Sequence, residues 1–199
     1  MRKLFFAAII IACAAPFAAA QTASGGDYNK YDVYVGFSHN RVDVGFDDPN
    51  QNFLQNREGF NGIEAAGTYN LSRYFGVKAD YTFNRKTFND TFSDGTNFSV
   101  REDLHTLTGG VEIKDNAPET KIKPFAHGLV GFTHARANVS GISGAIDSET
   151  GFSAIIGGGL DFRVSPRVDI RAIQFDYNPT RLGGTTQNNF RFGVGVVFR

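Results

Sequence analysis

The residues of this sequence that could form a nucleophilic centre are a serine, two histidines and two acids. Ser38 and His39 are adjacent, His134 lies far along the chain, and Asp43 or Asp147 could orient a histidine. A serine becomes a nucleophile when a histidine within hydrogen-bond reach removes its proton and an acid orients that histidine. No spacing identifies such a triad, and each histidine equally suits a surface hydrogen bond. We therefore predict no catalytic residues and keep an enzyme as the alternative.

Two further stretches resemble ligand-binding loops but lack required parts. The run Asp48-Pro49-Asn50-Gln51-Asn52 begins like a calcium loop, yet Phe53 replaces the needed glycine and Gly59 replaces the needed glutamate. Gly157-Gly158-Gly159 resembles part of a nucleotide-binding loop, but no helix pattern follows it. The sequence therefore predicts no metal and no cofactor.

Charged residues of both signs recur at alternate positions, opposite apolar ones. Side chains on such a charged face must find partners if the face is enclosed, because an unpaired buried charge is costly. We expect glycines on the same face, Gly76, Gly110, Gly157, Gly159, Gly193 and Gly195, to make room for long arginine and lysine side chains. The charged residues are Glu64, Lys78, Asp80, Glu112, Asp161, Arg163, Asp169, Arg171, Asp176 and Arg191.

The elements that carry these charges are predicted to be β-strands, because polarity alternates with a period of two residues. The clearest case is "YFGVKADYTFN", residues 74–84, which places Val77 and Tyr81 opposite Lys78 and Asp80. Helical periodicity is absent. The alternating segments lie near 31–38, 62–71, 74–84, 99–113, 124–136, 152–163, 167–177 and 189–199.

Two of these segments need interpretation. The fifth fits either phase, and we favour the one in which Val130 and Phe132 face outward, because it hides His127. The seventh changes phase, and a β-bulge near Ala172 would restore a single polar face.

The connections alternate between short and long. Short or medium links at 71–74, 114–123 and 165–167 face long polar stretches at about 40–61, 85–98, 137–150 and 178–188. An even number of strands with this alternation is typical of an outer-membrane barrel. A soluble β-sandwich also alternates, but strands of about ten residues and aromatic residues near the strand ends favour the membrane. The predicted fold is all-β, an eight-stranded antiparallel up-and-down transmembrane β-barrel.

The first twenty residues are predicted to be a secretory signal peptide. Arg2 and Lys3 precede an apolar run that ends at Ala18-Ala19-Ala20. The stretch before Cys13 also resembles a lipoprotein processing site, which remains an alternative. We therefore divide the chain into a signal peptide, 1–20, and a barrel domain, 21–199. A formal net charge of zero gives no indication of nucleic-acid binding.

The end of the chain resembles the terminal signal that outer-membrane barrel proteins present to their assembly machinery. Its polar, glycine, apolar and aromatic positions fall on Arg191, Gly193, Val196 and Phe198, although Arg199 follows the aromatic residue. With the segments before it, the chain is similar to the OmpA/OmpX-like eight-stranded outer-membrane proteins over about residues 28–199. The resemblance implies a Gram-negative-type outer membrane, periplasmic termini, and lipid, lipopolysaccharide and the barrel assembly machinery as partners. Because every backbone polar group in hydrocarbon needs an internal partner, we also expect the last strand to pair with the first, with Arg199 reaching the headgroup layer.

The function predicted from these observations is structural or surface-binding, with long loops displayed on a barrel plugged by charged side chains. Two alternatives remain: a lipid-A-modifying barrel enzyme, which would use serine and histidine near the outer rim, and a narrow channel for small solutes. No nucleic-acid partner is expected.

Overall fold

The computed structural model describes residues 28–44, 56–91, 97–140 and 146–199. The predicted signal peptide and the calcium-like stretch at Asp48 lie outside these residues. Every regular element described is a strand, and none of the described residues belongs to a helix that could cross a membrane. The strands are β1 (Tyr31–Asp43), β2 (Arg57–Asn70), β3 (Phe75–Thr91), β4 (Asn97–Lys114), β5 (Ile122–Ser140), β6 (Ile146–Ser165), β7 (Val168–Leu182) and β8 (Thr185–Phe198).

The sheet closes on itself. Each strand pairs antiparallel with the next, and β8 returns to pair with β1 from Val33 opposite Phe198 to Arg41 opposite Phe190. Because hydrocarbon offers no hydrogen-bond partners, a spanning sheet must have no free edge. The predicted eight-stranded antiparallel barrel, closed by its last strand, is confirmed.

Apolar side chains face outward and polar side chains face inward through the middle of the barrel. Ile63, Leu107 and Ile156 are more than half exposed on the outside, whereas Lys78 and Asp80 are buried inside. In β5, Val130 and Phe132 face outward and His127 is buried, which confirms the favoured phase. The outward apolar surface is the band that lipid would cover.

A β-bulge at Ala172 keeps one face of β7 polar. Leu160 pairs with Ile173 and Asp161 pairs with Arg171, so Ala172 is the extra residue. The side chains of Asp169, Arg171, Gln174 and Asp176 all lie buried inside the barrel as a result. The predicted bulge is confirmed.

The strands are longer than the sequence indicated, and three of the predicted long loops are mostly strand. Strands β3 to β6 have 17 to 20 residues, whereas a tilted span needs about 9–11. The stretch 178–188 contains a two-residue turn at Gly183-Gly184, both with positive φ, which is a conformation typical of tight hairpins. An outward apolar face marks only the part of a strand that spans lipid. The hydrogen-bonded ladder continues beyond that part, where the outward face is polar.

The two ends of the barrel differ. At one end, which we call the turn end, short connections at 71–74, 115–121 and 166–167 lie with residues 28–30 and Arg199. At the other, the loop end, the strands project past the apolar band. There the outward positions are polar or charged, as at Arg85 and Arg136.

The assignment of inward and outward residues on β3 can be tested with a matched control on the same strand. Val77 is 48% exposed on the apolar band, and Asn89 is exposed on the same face near the loop end. Val77→Arg should lower the free energy of unfolding in lipid by about 2–4 kcal/mol, whereas Asn89→Arg should change it little. Urea unfolding in lipid vesicles measures both. Equal tolerance of the two substitutions would show that the assigned faces are wrong.

Candidate functional site

The interior of the barrel is filled with ionisable side chains of both signs, each almost fully buried. These residues come from all eight strands and from the chain end, and they include nearly every charge predicted to face inward. The acids are Asp32, Glu64, Asp80, Glu112, Asp161, Asp169 and Asp176. The cations are Lys78, Lys114, Lys123, Arg171, Arg191 and Arg199, with Arg163 slightly more exposed.

Arg191 organises the interior cluster nearest the loop end. Its Nη1 lies 2.8 Å from Asp80 Oδ1, and its Nη2 lies 2.7 Å from Asp176 Oδ2 and 3.6 Å from Glu64 Oε1. His127 Nε2 adds a contact of 2.9 Å to Asp176 Oδ1. One guanidinium therefore joins acids from β2, β3 and β7, and holds distant parts of the ring together.

Arg171 forms the centre of the interior. It donates two hydrogen bonds to the carboxylate of Asp161, at 2.8 and 3.1 Å, and one of 2.7 Å to Gln174 Oε1. Its guanidinium carbon also lies 4.3 Å from the ring centre of Tyr34 and 3.9 Å from that of Phe125. Cation–π contacts of this kind strengthen when water is excluded, so Arg171 is held by charge and by stacking together.

Two of the inward glycines make room for the backbone of a neighbouring strand and for an aromatic ring rather than for long cations. A methyl group on Gly195 would overlap the backbone oxygen of Val35 and lie 2.9 Å from the Tyr34 ring, and one on Gly159 would overlap the backbone oxygen of Ile173 and lie 2.9 Å from the Phe125 ring. The expectation that the glycines admit arginine and lysine is therefore corrected at these positions. The rings in turn flank Arg171.

Lys114 organises a third cluster at the turn end. Its Nζ lies 2.7 Å from Asp32 Oδ2, 3.1 Å from Glu112 Oε1 and 3.5 Å from Asp161 Oδ2. Lys78 Nζ lies 3.3 Å from the other Glu112 oxygen. In the sequence, Lys114 falls within the predicted connection between the fourth and fifth strands. The inward parity of β4, continued two residues past Glu112, would have identified it.

Arg199 faces inward, and its expected position in the headgroup layer is wrong. Its side chain is fully buried, with Nη2 2.7 Å from Asp169 Oδ2 and Nε 3.6 Å from Asp32 Oδ1. Lys123 Nζ also approaches Asp169 Oδ2, at 3.4 Å. Phe198 faces lipid, so the following residue points into the barrel, where acids attract its charge.

The turn end is sealed by hydrogen bonds from the segment before β1. Asn29 N donates to Asn116 O at 3.3 Å, Asn70 Nδ2 donates to Asn29 O at 2.8 Å, and Asn116 Nδ2 donates to Asn70 Oδ1 at 3.0 Å. Beside them Arg73 forms two hydrogen bonds with Asp115 and holds the pKa of that carboxyl well below its usual range. The Arg73–Asp115 ion pair beside the seal therefore stays ionised at ordinary pH.

The loop end has a different interior. Above the charged clusters lies a layer of neutral polar groups, including Ser38, Asn84 and Thr106. Above that layer a cavity of about 440 Å³ lies between the projecting strand ends. Its lining residues are Val42, Val44, Phe60, Glu102, Asp103, Leu104, Ala135, Arg136, Ala137, Ser148, Glu149, Leu182 and Gln187.

The candidate catalytic residues are not brought together. Ser38 is fully buried inside the barrel, where its hydroxyl accepts a hydrogen bond from Asn84. His39 faces outward and contacts Asn61 Oδ1 at 2.7 Å. His134 also faces outward, on β5, with Thr150 Oγ1 at 2.8 Å.

The candidate acids do not complete a triad. Asp43 is buried at the loop end, where its backbone N–H donates to Asn189 Oδ1. The side chain of Asp147 lies outside the described residues. Within the described part of the chain, no cluster of histidine, cysteine, aspartate and glutamate is arranged to hold a metal ion.

Comparison with known proteins agrees with this architecture. Residues 5–198 match the family described as outer membrane protein beta-barrel domain. The chain belongs to this family. Membership indicates the outer membrane of a Gram-negative-type bacterium, in agreement with the resemblance seen in the sequence.

Solved structures show the same fold at low sequence identity. Ail, the attachment invasion locus protein of Yersinia pestis, solved with the heparin analogue sucrose octasulfate, is 21% identical with a TM-score of 0.56, over 84% of this chain and 97% of Ail. Neisserial surface protein A is 13% identical with a TM-score of 0.60, over 85% of this chain and 96% of its own. A search among curated proteins finds no significant match.

Two arginine–aspartate pairs of equal chemistry test whether the interior is dry. Arg171 pairs with Asp161 inside, and Arg85 forms the same two-bond contact with Asp103 on the outer surface, 45% exposed. Arg171→Ala leaves a buried carboxylate uncompensated and should lower the free energy of unfolding by about 3–5 kcal/mol. Arg85→Ala should cost less than about 1 kcal/mol, because water screens an exposed pair. Equal losses in urea unfolding would mean that water fills the interior.

Proposed function

We propose that this barrel serves a structural and surface-binding role, with the interior closed and the loop end presenting the binding surface. The observation that carries the proposal is the continuous network of ion pairs across the interior, together with the hydrogen-bonded seal at the turn end. A barrel of eight strands has an interior just wide enough for side chains to fill. Large buried cations and acids occupy it here, which leaves the loop end as the surface for contact.

The separation of the candidate nucleophile and histidines supports a role without catalysis. Ser38 points into the barrel and His39 points out of it. A base must reach the proton that it removes, and these two side chains lie on opposite faces of one strand. A lipid-A-modifying enzyme is therefore the less favoured alternative, and the closed interior also disfavours a solute channel.

The orientation that we propose places the loop end outside the cell and both termini in the periplasm. The outward arginines near the loop end, Arg41, Arg85, Arg101 and Arg136, are exposed beyond the apolar band. Guanidinium groups pair well with phosphate, so they suit the phosphate-bearing headgroups of lipopolysaccharide. Ail is named as an attachment invasion locus protein. For this chain, attachment to a surface outside the cell is part of the proposal.

Recognition of the last strand by the barrel assembly machinery is a further part of the proposal, and two outward phenylalanines test it. Phe198 belongs to the terminal motif, whereas Phe192 lies on the same face of β8 with similar exposure, 41% against 37%. Phe198→Ser should reduce the amount of protein in the outer membrane much more than Phe192→Ser does.

Deletion of residues 190–199 should leave degraded or periplasmic protein. Normal outer-membrane levels of that truncation, measured by cell fractionation, would rule out the assembly argument.

Purified protein in planar bilayers that contain lipid A separates the proposed role from its alternatives. The closed interior predicts no steady conductance on the scale of a large porin and no change in the mass of lipid A. Steady conductance would support a channel, and a change in the mass of lipid A would support an enzyme. Either result would contradict the proposal. A mass change that persists in Ser38→Ala would place the catalytic centre at residues other than Ser38.

A further inference from the structure

The alternation of polarity inverts where the strands leave the apolar band. Within the band, apolar residues face out and charges face in. Near the loop end, outward positions are polar, as at Asp103 and Arg136, while the inward positions beside them hold Leu104 and Ala135. The projecting part of the barrel therefore has the pattern of a water-soluble barrel with an apolar interior, a kind that encloses small ligands.

The interior of this projecting part is not closely packed. Val42 and Phe60 are buried there, at 6% and 2% exposure, and with Leu104 and Leu182 they line the cavity of about 440 Å³. A purely structural core would have few voids larger than a water molecule. The volume lies instead in the range of small-molecule sites, about 300–1,000 Å³.

Two of the acids that line the cavity face inward. Glu102 and Glu149 occupy inward positions on β4 and β6 and line it. Glu149 accepts a hydrogen bond from the backbone N–H of Gly183. Below the cavity wall, the buried amide oxygen of Asn40 has no hydrogen-bond partner among the described residues.

The cations nearby do not balance the inward acids. Arg136 lies on the outward face of β5. Lys86 forms an ion pair with Glu58 and lies opposite Glu102 in the β3–β4 ladder, so its one charge is shared between these two acids and cannot neutralise both. The inward-facing charge around the cavity is therefore negative, which favours a cationic ligand that donates hydrogen bonds.

We propose that the loop-end cavity binds a small amphipathic amine. Its apolar body would contact Phe60, Leu104 and Leu182, and its protonated nitrogen would lie between the carboxylates of Glu102 and Glu149. This inference deepens the proposed surface-binding role by naming a ligand class for the loop end. The two proposals can fail separately, because conductance tests whether the interior is closed and ligand binding tests the cavity.

Calorimetric titration of the full barrel in lipid nanodiscs tests the inference, with empty nanodiscs subtracted. The probes are adamantan-1-amine and adamantane-1-carboxylate, which share an apolar body and differ in charge. We expect the amine to bind with a stoichiometry near one and the carboxylate to bind at least tenfold more weakly. No amine binding, or equal binding of both probes, would overturn the proposal.

Substitutions in the cavity lining distinguish recognition of the ligand's charge from contact with its apolar body. Glu102→Gln with Glu149→Gln keeps shape and hydrogen bonding but removes both charges, and should weaken amine binding at least tenfold. Leu104→Trp fills the cavity and should abolish binding. Glu119→Gln, an exposed acid at the turn end, should leave binding unchanged, and heat-modifiable gel mobility confirms that each variant is folded. Unchanged amine affinity in the double glutamine variant would overturn the proposal.

Discussion

The pairing of β8 with β1 closes the sheet into a ring, and the packing of the interior follows from that closure. Closure satisfies every strand edge in a medium that offers no hydrogen bonds, and with eight strands it also fixes a narrow interior. Charged side chains enclosed there must meet partners or leave an ion unsolvated at high cost. The clusters around Arg191, Arg171 and Lys114 are therefore the consequence of closing so small a ring around so many ionisable residues.

The barrel has three levels along its axis. At the turn end, asparagine hydrogen bonds and the buried Arg199 close the interior. In the middle, ion pairs and the stacking of Tyr34 and Phe125 on Arg171 fill it. At the loop end the polarity inverts, and an apolar cavity with an acidic lining replaces the ion pairs. One continuous sheet thus supports a closed plug and, above it, a surface that is suited to binding.

Period-two alternation was enough to predict the fold, because lipid on one side and charges on the other impose it on every spanning strand. It also located the bulge at Ala172, since only an extra residue could keep Asp169 and Asp176 on one face. It failed where lipid no longer acts. The strand extensions were interpreted as loops, Lys114 was assigned to a connection, and Arg199 was expected at the headgroups. The cavity could not be predicted, because it depends on seven strands meeting at one height.

We infer that water does not enter the middle of the barrel, and cysteine labelling tests this exclusion. The chain has a single cysteine, Cys13, so the barrel domain from residue 21 gives a clean background. Thr108 is 3% exposed and faces inward beside Asp80, while Asn89 is exposed near the loop end. A charged, water-soluble thiol reagent should modify Asn89→Cys in the folded protein and modify Thr108→Cys only after unfolding. Comparable labelling of both cysteines in the folded protein would contradict the account.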